Sequence, residues 1–302
     1  MGWLVEESLA GMRRRKALMG YLFVLPTILG IIVFTAGPVL VSFGLSFYKW
    51  NVFKPATFIG WDNYIRLVDD ERVLVSFINS AKFVLIAISL QITFALLLAL
   101  ALRQIMATWM RYYFRTAFFL PFLLSGAATG IVLSYLFHFE FGVVNYYLGF
   151  LGVPRIPWTN TAGTVLYTIV IAFVWQTLGF AMIGMLGGMS NISSEVLDAA
   201  EVDGANGWRW LWYIIVPLLS PTILFQAVVG VIGGLQVFDQ PYVMTRGGPG
   251  DSSRTIVLTL YEAAFKNMEI GHASAIAVIL FGVILMITAS QFWLSKHWVH
   301  YQ

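Results

Sequence analysis

The 302-residue chain is 59% hydrophobic and 11% charged, with a mean hydropathy of +0.80. One soluble core cannot hide that much apolar surface, so the composition excludes a water-soluble globular protein and places the chain in a bilayer. A net charge of +3 with scattered Lys and Arg argues against nucleic acid as a partner, and the absence of cysteine excludes disulfides and thiolate metal sites.

In chain order, Arg13, Arg14, Arg15 and Lys16 precede about thirty uncharged residues. That run is longer than the apolar core of a signal peptide, about 7–15 residues, so the N-terminus reads as a first span and not as a cleaved leader. A helical span needs about twenty apolar residues to cross roughly 30 Å of hydrocarbon. Six stretches qualify: 18–47, 77–102, 117–137, 163–188, 214–238 and 273–294. They are continuous apolar runs and not ten-residue alternations, so helices and not a barrel satisfy the backbone. The expected fold class is therefore an all-α integral membrane protein with six transmembrane helices.

Loops one, three and five are longer and richer in Pro, Gly and aromatics, and loops two and four are tighter. With both termini cytoplasmic, nine Lys and Arg lie inside and eight outside, with Lys82 left at the start of the second span. The total is nearly balanced, but four consecutive basic residues abut the first span and decide the orientation. Both termini, and the fourth loop, are then cytoplasmic. Pro26, Pro38, Pro121 and Pro217 fall in or beside spans and read as kinks. The pairs Gly187–Gly188 and Gly233–Gly234 read as places of close helix approach.

Ionisable groups inside the spans would mark an ion relay. Lys82 reads as snorkelling to the interface, Asp239 sits where the fifth span emerges, and His138, His272, His297 and His300 lack metal-site spacing apart from the last two in the tail. No Lys follows a Gly, so the nucleotide-binding G-x-x-x-x-G-K-[ST] loop is missing, and H-E-x-x-H is missing too. No catalytic residue and no metal site is expected, and any energy source lies in another chain.

The polar island is 195–221, E-V-L-D-A-A-E-V-D-G-A-N-G-W-R-W-L-W-Y-I-I-V-P-L-L-S-P. It carries Glu195, Asp198, Glu201, Asp203 and Arg209 between two uncharged segments. Glu195 to Val202 reads as a short amphipathic helix capped by Ser193 or Ser194, with acid at its start where the helix dipole favours it. Gly204 suits its C-terminal turn. Trp208, Trp210 and Trp212 form an interfacial aromatic cluster leading into the fifth span. A connector lying on headgroups is one reading. Acidic residues facing an anionic leaflet favour a protein partner instead.

This island resembles the EAA loop of ABC importer permeases: E-A-A, three residues, G, nine residues, I-x-L-P. Asp198, Ala199, Ala200, Gly204, Ile214 and Pro217 fall at those spacings, with Asp198 in place of Glu and Val216 in place of Leu. The stretches Tyr21 to Pro26, Phe58 to Tyr64, Phe114 to Pro121, Thr245 to Gly250 and Gly271 to Ala275 resemble the carbohydrate-uptake branch, of the maltose and glycerol 3-phosphate type. The resemblance implies a type I ABC importer permease fold in a prokaryotic plasma or inner membrane. Its parts would be a cytoplasmic segment over 1–17, a permease domain over 18–294 containing the coupling loop 189–213, and a cytoplasmic tail over 295–302. It implies a heterodimer with a homologous second permease, two ABC ATPase subunits that bind ATP and Mg, and an extracytoplasmic substrate-binding protein. This chain itself would bind no cofactor.

In that family the EAA loop seats in the ATPase, which assigns Glu195, Asp198, Ala199, Ala200, Glu201, Asp203, Gly204 and Arg209 to coupling. Resemblance to maltose-type permeases puts Trp175, Gln176, Thr177 and Phe180 on the substrate pathway with Gly234 and Val237, and Gln236 nearby. Those relatives carry Asn in the fifth span, where Gly233, Gly234 and Val237 here offer no side-chain hydrogen bond. For Trp175 and Phe180 the alternative is helix packing or lipid contact. Phe58 to Tyr64 and Arg246 to Ser253 read either as contacts for the binding protein or as lids over helix ends. The expected cargo is a sugar or oligosaccharide. The alternatives are glycerol 3-phosphate or a related polyol phosphate, and a secondary sugar transporter.

Overall fold

A computed structural model describes residues 9–103 and 107–300, without the side chains of Leu9, Ala10, Arg13 and Glu201. The two last-named positions, expected to orient the chain and to serve coupling, lie outside the described side chains. The first span is α1 (Leu9–Ile31), a single π turn over Ile32–Ala36 and α2 (Gly37–Leu45), with Pro38 just after the π turn. A two-stranded antiparallel hairpin, β1 (Tyr48–Lys49) and β2 (Thr57–Phe58), leads to the amphipathic α3 (Asp62–Asp69) and the second span α4 (Glu71–Arg103). At 33 residues α4 is about 50 Å long, more than roughly 30 Å of hydrocarbon, so it tilts or projects.

The third span is not one helix. It consists of α5 (Thr108–Phe119), a 3-10 turn over Leu120–Leu123 and α6 (Gly126–Leu136), bent by 104°. Pro121 withholds a donor at the turn, and Ser125 restarts the helix by accepting the Ala128 N–H at 3.2 Å. After α7 (Val143–Phe150) comes the unbroken α8 (Ala162–Ser190). The polar island forms α9 (Ser194–Val202) and α10 (Gly207–Trp210). A π turn over Leu211–Ile215, α11 (Val216–Leu218) and α12 (Ser220–Leu235) follow, with a 68° bend between Pro217 and Pro221. Next are a π turn over Pro241–Thr245, α13 (Ile256–Tyr261), another over Glu262–Lys266, and α14 (Ile270–Ser295). Among the described residues four unbroken helices are long and apolar enough to cross a membrane, and up to six crossings result if each bent pair counts as one.

Packing centres on α4 against α8. Lipid tails are as apolar as Leu, so helices associate in a bilayer by close van der Waals contact that small residues permit. On α4 the buried face repeats every four residues, through Ala87, Gln91, Ala95 and Ala99. Phe83 meets Phe173 of α8 edge-on at 5.3 Å. A Cβ on Gly179 of α8 would strike the Phe118 backbone, so α5 crosses α8 there. Of the glycine pairs, Gly188 packs on Thr222 and Gly234 on Val84, whereas Gly187 and Gly233 face open space. The first span lies outside this core with none of its apolar window buried, and touches it where Phe43 meets Phe281 of α14 at 6.4 Å.

At the hairpin end, the long segment after α12 folds back over the helix termini. Asn79 donates to the carbonyls of Asp251 at 2.8 Å and Arg254 at 3.1 Å, and Ser80 Oγ accepts the Ile256 N–H at 3.0 Å. A chain of ion pairs joins Arg72 to Asp251, Asp251 to the buried Arg254, Arg254 to Glu262, and Glu262 to Lys266. Burial alone would raise both carboxyls. Hydrogen bonds and charges from Arg254 and Arg72 at Asp251, and from Lys266 and Arg254 at Glu262, outweigh it and hold both below their ordinary values.

Two outcomes are expected. Arg254→Ala removes the buried centre of this chain of ion pairs and should cost about 2–3 kcal/mol, less than the about 3–5 of a fully buried pair because Asp251 keeps Arg72, Glu262 keeps Lys266 and both keep some solvent; thermal unfolding of the detergent-solubilised protein measures it. A carboxyl lowered in the fold stabilises above its unfolded pKa, and that contribution is lost as pH falls through the folded value. Hydrogen exchange across 246–262, corrected for intrinsic rate, should therefore be unchanged between neutral pH and about pH 5 and accelerate near pH 3.

Candidate functional site

Two places bear on function, one at the α9 end and one halfway along α8. In α9 the Val196 N–H reaches Ser193 Oγ at 3.4 Å, so Ser193 is the cap. At the other end Gly204 has φ +76° and the Ala205 N–H closes on the Ala200 carbonyl at 2.9 Å, which is the left-handed stop that glycine best adopts. The helix is two-sided. Ala200 is buried and Leu197 packs into a cluster with Met189, Ile192, Ile215 and Leu219, whereas Glu195, Asp198, Ala199, Asp203 and Arg209 are exposed. None of the ion pairs among the described residues uses Glu195, Asp198 or Asp203. Trp210 joins the same cluster and lies 5.8 Å from the Arg103 guanidinium at the end of α4. Trp208 and Trp212 stack on each other at 6.4 Å. The island is thus an acidic, solvent-facing helix keyed by apolar contacts into the ends of three spans. The His300 N–H bonds Ser220 Oγ at 2.9 Å, so the C-terminal segment lies at this end as well.

The second place is a cleft of about 270 Å³ between the bend of the third span, the middle of α8 and the end of α12. Gln176, midway along α8, donates to the Leu124 carbonyl at 2.8 Å and accepts from Gln240 at 2.6 Å. That carbonyl is exposed by the break after Pro121, where no helical N–H remains to take it. Thr177, Gln236 and Val237 also line the cleft, with Phe122, Phe173, Gly126 and Asp239. The other three pathway candidates do not line it. Phe180 stacks on Phe122 at 4.9 Å and backs it, Gly234 seats α12 against Val84 of α4, and Trp175 is 43% exposed on a different side of α8. Val237 ties the cleft to the hairpin end, its carbonyl accepting from Thr255 Oγ1 at 3.1 Å.

Sequence reasoning missed Asp239, Gln240, Phe122 and Gly126. Asp239 packs so closely that a Cβ on Gly126 would strike its carboxylate, and it is the one charged residue lining the cleft. The signal for it was present: a carboxylate at the end of an apolar span, next to Gln236 and Gln240. Its partners across the fold come from the bend in the third span, which periodicity does not show. Among the described residues no group of three or more His, Asp or Glu gathers as a metal site would need.

Broken helices around a midspan polar cleft, with a short polar helix keyed to the span ends, define a membrane transport component of the permease class. Residues 91–298 match the family described as binding-protein-dependent transport system inner membrane component, and the chain belongs to that family. It is 34% identical over 294 residues to the probable ABC transporter permease protein YesP of Bacillus subtilis (strain 168), covering 96% of this chain and 94% of that one. It is 32% identical to the lactose transport system permease protein LacF of Rhizobium radiobacter, covering 97% and 99%. A solved bacterial ABC transporter involved in the import of the acidic polysaccharide alginate has the same fold, with a TM-score of 0.82 at 22% identity over 96% of this chain and 99% of that one. The protein is thus an all-α, multi-pass membrane protein of the type I ABC importer permease fold, and a permease component and not an enzyme.

Gly204→Leu forces a side chain into the left-handed region at about 1–2 kcal/mol. Membrane insertion should persist, because the α4–α8 core is untouched, while ATP hydrolysis loses its link to uptake; the ratio of the two rates in proteoliposomes measures this. Gln176→Leu leaves the Leu124 carbonyl and Gln240 unpaired, at about 1–3 kcal/mol, and should lower both thermal stability and uptake.

Proposed function

We propose that this chain forms half of the translocation pathway of an ATP-driven importer for a sugar or oligosaccharide. Relatives named for lactose, trehalose/maltose and starch degradation products support the cargo class. So does the cleft, where Gln236, Asp239 and Gln240 offer amide and carboxylate groups to hydroxyls, with aromatic faces beside them. At about 270 Å³ it is smaller than the roughly 300–1,000 Å³ of complete small-molecule pockets, as one wall of a shared pathway would be. Glycerol 3-phosphate is not favoured, because Asp239 repels a phosphate and no cation lines the cleft. A secondary sugar transporter would need coupled ionisable groups across the spans, and dependence on a binding protein is the family's mode.

The partners proposed are a homologous second permease, two ABC ATPases holding ATP and Mg, and an extracytoplasmic binding protein above the hairpin end, where Phe58 to Tyr64 and Arg246 to Ser253 lie. Both termini and α9 face the cytoplasm of a prokaryotic cell, a reading supported by Arg14, Arg15 and Lys16 at the first span and by Arg103, Arg111 and Arg115 at the same end as α9. The observation that carries the coupling role is the two-sided α9. Its acidic face is free to dock, and its apolar face moves with the ends of α4, α8 and α11. ATPase closure would select the span arrangement that α9 accompanies. Affinity purification of this chain from its own membranes should bring one copy of a second permease and two ATPase subunits per chain; an active carrier consisting of this chain alone would contradict the proposal.

A further inference from the structure

Beside the lever lies a second cleft of about 270 Å³, between the end of α4, α5, the end of α8 and the start of α9. Arg103, Arg111 and Arg115 line it, with Ser190 and Ser194, and among the described side chains no Asp or Glu does. The Nε atoms of Arg111 and Arg115 are buried without a hydrogen-bond partner, and none of the three arginines takes part in an ion pair among the described residues. Arg111 and Arg115 are four residues apart on α5, where like charges repel. Holding two half-buried cations together without an acid is unfavourable unless an anion fills the cleft.

The position says which anion. Trp109, Tyr112 and Tyr113 on the same helix are 70%, 65% and 63% exposed, an aromatic belt of the kind that sits at headgroup level. Leu186 and other apolar side chains form the remaining wall, suited to the start of an acyl chain. Basic pockets between helices at the cytoplasmic face suit anionic headgroups. We propose that Arg103, Arg111 and Arg115 form a phosphate site occupied by the headgroup of an anionic phospholipid, which braces α5 against the start of α9. The guanidinium forks match phosphate oxygens and Ser194 is within the same cleft, so the lipid would stiffen the lever at its base. This rests on the orientation proposed above, with α9 on the cytoplasmic side.

The complete importer, assembled in nanodiscs of phosphatidylglycerol and phosphatidylcholine and then transferred to detergent, should retain phosphatidylglycerol when lipids are counted by native mass spectrometry. Arg111→Gln with Arg115→Gln should weaken its retention about thirty-fold, one factor of roughly five for each charge lost near the surface. Arg111→Lys with Arg115→Lys keeps the charge but not the fork and should retain more lipid than the Gln pair and less than wild type, which separates charge from a folding defect. Added inorganic phosphate should not displace it. Equal retention by wild type and the Gln pair would overturn the site, and displacement by inorganic phosphate would overturn the lipid as its occupant. Sugar uptake by the same wild-type sample tests the importer reading separately, since the lipid count does not depend on transport.

Discussion

Inside hydrocarbon every backbone carbonyl and N–H must find a partner within the protein, and the working parts of this chain follow from meeting that demand where helices break. Pro121 ends α5 inside the third span, and Gln176 of α8 takes up the freed Leu124 carbonyl. Gln240 then completes Gln176 from the far side. One break thus draws polar side chains from two other segments together at the middle of α8, and the cleft between them is the consequence. At the bend between Pro217 and Pro221, at the α9 end of the fifth span, Ser220 Oγ donates to the Pro217 carbonyl and accepts the His300 N–H.

The rigid frame around these breaks is as plain as the breaks are local. Ala87, Ala95 and Ala99, in step with Gln91, let α4 lie against α8, and α8 carries the cleft at its middle and α9 at its end. The hairpin-end segment is locked to α4 by Asn79, Ser80 and the Arg254 ion pairs, and Thr255 carries that lock to Val237 at the cleft. A contact made at the hairpin end therefore reaches the cleft through hydrogen bonds, and a push at α9 reaches the same spans through Leu197, Ala200 and Trp210.

Much of this was legible in the residues. Hydropathy located all the spans, because twenty apolar residues have no other stable place, and the spacing from Asp198 to Pro217 located the polar island. Ser193 and Gly204 marked the ends of α9 by cap and left-handed turn. Hydropathy did not reveal the 104° and 68° bends, since a broken apolar run scores like a straight one. The prolines marked those places without saying whether they would kink or break the helix. Of the pathway residues, Gln176, Thr177, Gln236 and Val237 meet in the cleft, whereas Trp175, Phe180 and Gly234 serve other contacts. Adjacent positions on α8 point about 100° apart, so the consecutive residues Trp175, Gln176 and Thr177 cannot all face one cleft. Asp239 escaped because its neighbour Gly126 comes from a span distant in sequence.

The central claim is that α9 is a docking lever for a separate ATPase. The absence of cysteine makes it directly testable, because Ala199→Cys places this chain's one thiol on the exposed face of the helix. In the assembled importer a short bifunctional thiol reagent should join this chain to an ATPase subunit carrying a single thiol in its docking cleft, and should arrest sugar uptake until the link is reduced. Uptake that continues through a complete cross-link, or a thiol at position 199 that never joins the ATPase while neighbouring lipid-facing thiols behave the same, would contradict the account.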